Sequence, residues 1–225
     1  MFISAYESDQ GKKLISKFYK EQENLKGDNS KYIKEKWEKE AGSLISEEEW
    51  EQINEQQWRT TCSISWREYG WQNIVRYFII PAQQKSQDTR CWRLCGENKA
   101  NHFHIFWECP SIIPYWQDLQ KCMKKILKVE FPFTFMNMYL GKGNQEITNS
   151  GDKYILRTML VASKKAVTRK WLKTESPKRE DWLDVMHNIY MMEKLTFSLR
   201  LELDKFKNFW KKWVEFVSPL RADFV

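Results

Sequence analysis

Between Leu199 and Val217 the large apolar residues stand at Leu199, Leu203, Phe206, Trp210, Trp213 and Val217, at spacings of 4, 3, 4, 3 and 4. That seam averages the period of an α-helix, and it suits a helix lying along another helix. A half-buried strand cannot carry it, because successive strand side chains point to opposite faces and one face recurs at every second residue. Similar stripes recur upstream. Trp50, Ile53 and Trp58 form one, and Trp66, Trp71, Ile74, Val75 and Phe78 form another that ends before Pro81. After Pro110 and Pro114, Trp116, Leu119, Met123 and Ile126/Leu127 share a face as far as about Lys128. Trp182, Val185, Met186 and Ile189 form a further stripe. The expected fold is therefore mainly α, with these stripes as its core.

The punctuation agrees. Ser46 and Glu49 have the spacing of a capping box, with Ile45 and Trp50 at the staple positions of the same helix start. Ser176-Pro177 reads as an N-cap followed by proline at the first helical position. Residues 12–41 read as a charged helical stretch, broken near residues 26–30 and ended at Gly42. Phe131 to Tyr139 alternates loosely, as an extended segment would, although Pro132 argues against a central strand. The polar run AQQKSQDTR at 82–90 divides the chain into a helical connector (1–81), a linker (82–90), a knuckle-like block (91–109) and a helical C-terminal domain (110–225). The fold expected is helical segments flanking that small block, with little or no β-structure.

Several function classes drop out on composition. The most apolar stretch, Ile74 to Ala82, is short and interrupted by Arg76, so no membrane span is expected. The N-terminus MFISAYESDQ lacks the plan of a secretory signal, which points to an intracellular protein, cytoplasmic or nuclear. Neither G-x-G-x-x-G nor G-x-x-x-x-G-K-[ST] can be written anywhere on the 8 glycines. The nucleophile-elbow and H-E-x-x-H motifs are absent too, and the expectation is a non-enzyme. A net charge of +7 favours an acidic partner such as nucleic acid.

Three of the 5 cysteines and two of the 3 histidines fall between Cys91 and Cys109. As Cys91-x3-Cys95-x8-His104-x4-Cys109 they offer three thiolates and one imidazole, the donor set of a closed tetrahedral structural zinc site. His102 is the alternative fourth ligand; the His-x4-Cys spacing favours His104. Gly96 beside Cys95 permits the tight turn that gathers the ligands. The competing reading is a group of reduced cysteines packed as small hydrophobes. A disulfide set is weaker, since nothing implies secretion.

The helix expected from Asp152 to Lys173 puts Leu156, Met159, Leu160, Ala166, Val167 and Trp171 on one face. Arg157, Lys164, Lys165, Arg169 and Lys173 cover the other, and Lys170 falls among the apolar residues. A row of cations on a packed helix neutralises phosphates without reading sequence; it also suits a merely solvated face. Arg90, Trp92, Arg93, His102 and Phe103 offer a cation-and-aromatic set for stacking on unpaired bases, or a small core for the knuckle.

Residues 32–61 (YIKEKWEKEAGSLISEEEWEQINEQQWRTT), 91–110 (CWRLCGENKANHFHIFWECP), 161–182 (VASKKAVTRKWLKTESPKREDW) and 189–200 (IYMMEKLTFSLR) together resemble LINE-type non-LTR retrotransposon proteins. They are similar, in order, to the segment that follows the reverse transcriptase core of the large polyprotein, over about residues 12–217. The resemblance implies a post-polymerase helical connector and a cysteine-rich segment that binds nucleic acid. On it, Cys91, Cys95, His104 and Cys109 match the family's Cys-Cys-His-Cys motif, and the extra His102 departs from it. The polymerase's Phe/Tyr-x-Asp-Asp motif is absent. The function so implied is non-catalytic binding of RNA or single-stranded nucleic acid, with structural zinc as cofactor; the cationic helix face and the cation-and-aromatic set add Arg157, Lys164, Lys165, Arg169, Lys173 and Arg93 as the residues expected toward the nucleic acid. The alternatives are a helical interaction module for a reverse transcriptase core or another protein, and a retroelement remnant without function.

Overall fold

The computed structural model describes residues 29–83, 88–142 and 147–219. No strand occurs among them, and the fold is mainly α. The chain divides into two compact units at Ser43/Leu44. Of the charged stretch expected at 12–41, residues 12–28 lie outside those described. The first unit contains α1 (Asn29–Ala41), which Gly42 ends in the left-handed region at φ 65°. There the Ser43 amide donates back to the Glu38 carbonyl (3.3 Å), closing the helix end.

The second unit holds α2 (Glu47–Trp58), α3 (Ile64–Ile74), α4 (Ile113–Leu127), α5 (Ser150–Arg169), α6 (Arg179–Leu199) and α7 (Leu203–Val217). α2 opens with the expected capping box: the Glu49 amide donates to Ser46 Oγ (3.1 Å), and the Ser46 amide to Glu49 Oε2 (3.0 Å). Ile45 and Trp50 beside it are both buried. α5 is the hub, packed against α3, α4, α6, α7 and a turn at Met136–Leu140. Almost its whole circumference is buried between Ile155 and Val167. Thr158 and Ser163 fit there because each hydroxyl donates to the carbonyl one turn back, to Tyr154 (3.0 Å) and Met159 (2.8 Å). The Trp182 indole shares the Met159 carbonyl (3.2 Å), and the Tyr115 hydroxyl takes that of Ser163 (2.9 Å).

One buried carboxylate joins four parts of this unit. Glu193 on α6 accepts from the Cys62 amide (2.8 Å), the Tyr154 hydroxyl on α5 and the Trp210 indole on α7 (2.8 Å). Every donor is neutral, so three hydrogen bonds replace the water that the carboxylate loses.

Four local expectations are corrected. The seam from Leu199 to Val217 spans a break at 200–202, where Leu201 takes φ 57°. Leu199 therefore sits exposed at the end of α6, and only Phe206, Trp210, Trp213 and Val217 are buried. α6 begins at Arg179, with Asp181 accepting from the Lys178 amide (2.8 Å), so Ser176 is not its cap. In α3 the buried residues are Tyr69, Gly70, Asn73 and Ile74, whereas Trp71 is exposed. Phe131 to Tyr139 is not a strand: it runs through irregular backbone into the π-helical turn Met136–Leu140.

Replacing Glu193 with alanine strands one buried and two part-buried donors, so it costs about 3 kcal/mol. Urea unfolding of both proteins measures the loss; an unchanged midpoint would remove Glu193 from its place as a node.

Candidate metal centre

Residues 88–100 fold back on themselves. The Cys91 amide donates to the Glu97 carbonyl (2.9 Å) and the Ala100 amide to the Thr89 carbonyl (3.1 Å). Leu94 (φ 55°) and Gly96 (φ 95°) make the left-handed turn that carries Cys95 back beside Cys91. The Asn101 side chain then accepts from the His104 amide (2.7 Å) and starts a π-helical turn, His104–Glu108. That turn closes when the Cys109 amide donates to the His104 carbonyl (3.0 Å), five residues back. The wide turn is what sets His104 and Cys109 side by side.

The ligating atoms of Cys91, Cys95, His104 and Cys109 all lie within 4.8 Å of one another. Cys91 Sγ is 3.9 Å from Cys109 Sγ, and Cys95 Sγ is 3.2 Å from His104 Nε2. A tetrahedral ion with bonds of about 2.3 Å to sulfur and 2.0 Å to nitrogen has edges of roughly 3.8 and 3.5 Å. The donor set and these two edges fit such an ion. All five cysteines are free, so no disulfide competes.

Of the buried pair, Cys109 is the one favoured as thiolate. The hydrogen bond from Cys91 holds the Cys109 thiol below its ordinary value, and the same contact with burial pushes Cys91 up. Two thiols this close share one proton unless a cation lies between them. Backbone amides of Arg93 and Ser111 point at the Cys91 and Cys109 sulfurs respectively. Cys91 and Cys109 face inward, while Cys95 and His104 border an open cleft with Glu97 and Glu108.

Of the two candidate histidines only His104 joins the cluster. His102 is fully buried; its Nε2 donates to the Phe78 carbonyl (2.8 Å), which leaves Nδ1 to accept from Arg76 Nη2 (3.3 Å). Its ring stacks on Phe106. The block is wedged into the helical core, with Phe106 against Phe78 and Tyr139, and Trp92 against Trp171 at the end of α5 (4.7 Å).

The residues expected to face nucleic acid divide. Arg169 and Lys173 are exposed. Lys165 is half-buried, with its ammonium over the Tyr69 ring (4.7 Å). Arg157 is half-buried and donates to the Arg59 carbonyl (3.5 Å). Two expectations are overturned. Lys164 is 1% exposed: α2 and the 136–141 turn cover the flank of α5 that periodicity alone leaves to solvent. Arg93 is buried, and its guanidinium donates to the Ile105 carbonyl (2.8 Å), so it props the knuckle and does not face outward. Lys170 pairs with Glu175 (3.3 Å) and Asp181 (3.6 Å). The bracing role of Arg93 has no sequence signal, because it depends on a backbone carbonyl 12 residues away. No family model matches the chain.

Two outcomes follow from these placements. His104→Ala lowers bound metal well below one equivalent by elemental analysis, while His102→Ala keeps its metal; the reverse pattern would reassign the ligand. Burial alone pushes the Lys164 ammonium down to about 7, below the ordinary lysine value near 10.4. Its cost to the fold is thus complete below about pH 7 and fades as pH rises toward 10. Lys164→Met therefore stabilises most at neutral pH and below, and a gain independent of pH in denaturant unfolding would contradict this.

Proposed function

We propose that this chain is a non-catalytic, nucleic-acid-binding piece of a LINE-type retrotransposon protein, with zinc as a structural ion. The observation that carries this reading is the convergence of Cys91, Cys95, His104 and Cys109, the four residues that match the family's motif, within 4.8 Å. Bound there, zinc would cross-link the 91–95 turn to the 104–109 turn. A Cys3His set fills all four positions, so it leaves none for an activated water.

The nucleic-acid surface in this reading lies where the end of α5 meets the knuckle. Trp92 against Trp171 brings the exposed Arg169 and Lys173 beside the block. The cleft beside Cys95 and His104 carries Glu97 and Glu108 and repels phosphate. RNA or single-stranded DNA is the ligand class, held through its backbone with little base readout.

Binding to a single-stranded RNA bearing a 5′-hydroxyl falls steeply with salt in an anisotropy titration. Replacing both Arg169 and Lys173 with glutamine reduces the salt slope by about 1 to 2. No binding at low salt, or an affinity flat across salt, would sink the proposal.

A second reading, a helical interaction module, draws on α6. Met191, Met192, Leu195 and Leu199 are exposed along its outer face, 48 to 77% each. A reverse transcriptase core or another protein is the partner in that case. A clean monomer in sedimentation, with no binding of an apolar dye, would count against it.

A further inference from the structure

We propose that the small cavity between α2 and α5 is a binding site for one oxyanion group, a carboxylate or a phosphate. In this site Lys164 takes one oxygen inside and Arg157 takes another at the mouth. Gln56, Gln57 and Thr60 of α2 and its C-terminal turn form one wall. Leu160, Val161, Arg157 and Lys164 of α5 form the other, with Gly141 above.

The charge arrangement points to an anion. Two cations line the cavity and no carboxylate does. Among the described residues no hydrogen bond or ion pair reaches the Lys164 ammonium. Its partner is the face of Tyr139, 5.2 Å away. A cation held against a ring on one side keeps its other donors for a counter-ion. A lone buried ammonium is costly, and an anion beside it offsets that cost.

The walls do not supply this counter-charge. Gln56 donates to the Lys142 carbonyl (3.1 Å), Gln57 to that of Ile53 (2.9 Å), and the Thr60 hydroxyl to that of Gln57 (3.1 Å). These bonds fix three neutral side chains around the space. Helical side chains lean toward the N-terminus, so Lys164 reaches back over Leu160 and Val161 toward Arg157, two turns earlier.

Size narrows the ligand. The interior has room for about one water-sized group. One oxygen of a carboxylate or phosphate fits, with the rest of the head group at Arg157; a nucleobase or sugar ring does not.

The protonation state of Lys164 sets the pH dependence. The groups facing it are Arg157, which stays charged, and Tyr139, whose phenol burial pushes well up and so keeps neutral. Glu55 is held by Arg59 outside the lining. Binding is therefore tighter near pH 6 than near pH 8.5, on either side of the Lys164 value of about 7.

The test is thermal unfolding of the full zinc-loaded chain in sodium formate against sodium chloride at equal ionic strength. It needs no nucleic acid, so its outcome is separate from that of the function proposed above. Formate raises the melting temperature over chloride by several degrees near pH 6 and by less near pH 8.5. Lys164→Met abolishes the difference, and Arg157→Gln, at the solvent-facing mouth, reduces it. An oligonucleotide whose 5′-phosphate tightens binding about tenfold over its 5′-hydroxyl form, with loss of that gain in Lys164→Met, places the oxyanion on a nucleic-acid end; equal affinities, with the formate effect intact, place it on free small oxyanions. The proposal is overturned if wild type melts alike in formate and chloride, which leaves a water only, or if the formate gain persists in both variants.

Discussion

The burial of α5 on nearly every side is the constraint that the rest of the larger unit obeys. Where such a helix is enclosed it must satisfy its hydroxyls internally, and Thr158 and Ser163 do so through carbonyls of their own helix. It must also be enclosed by several partners at once. α4, α6 and α7 cover one part of its circumference, and α3 with the 136–141 turn covers another. Glu193 ties α6 to the Cys62 backbone, α5 and α7. The cost of the arrangement appears at Lys164, a cation enclosed along with the apolar residues around it.

The cysteine block depends on the same packing. Its ligands come from two turns, at 91–95 and 104–109, that both pack on the helical core. Phe106 docks on Phe78 and Tyr139, and Trp92 on Trp171, so the block is set into the core. Arg93 and the backbone amides near the sulfurs then stabilise negative charge at the site. An ion in this position would brace a wedge between helices, consistent with a structural role for zinc.

Signals confined to neighbouring residues are legible in the sequence, and those that depend on distant partners are not. The capping box at Ser46–Glu49 involves four consecutive residues and appears as expected. The stripe from Trp116 to Leu127 is buried as a unit because the whole helix meets one surface. The seam from Leu199 to Val217 failed at its start, since periodicity continues through the left-handed break at Leu201 without registering it. For the site, Cys91, Cys95, His104 and Cys109 were legible from spacing. The choice against His102 required the Phe78 carbonyl, 24 residues away. Lys164 and Arg93 are buried for a reason that a helical wheel or a charge count does not show: a second layer covers each of them.

Zinc held by the four clustered residues, through three sulfurs and one nitrogen, is the proposal on which the functional reading rests. X-ray absorption on the zinc-loaded protein measures this directly. The account predicts a first shell of three sulfurs near 2.3 Å and one nitrogen near 2.0 Å. A shell of oxygen and nitrogen alone, or protein that folds fully while excluding zinc, would contradict it.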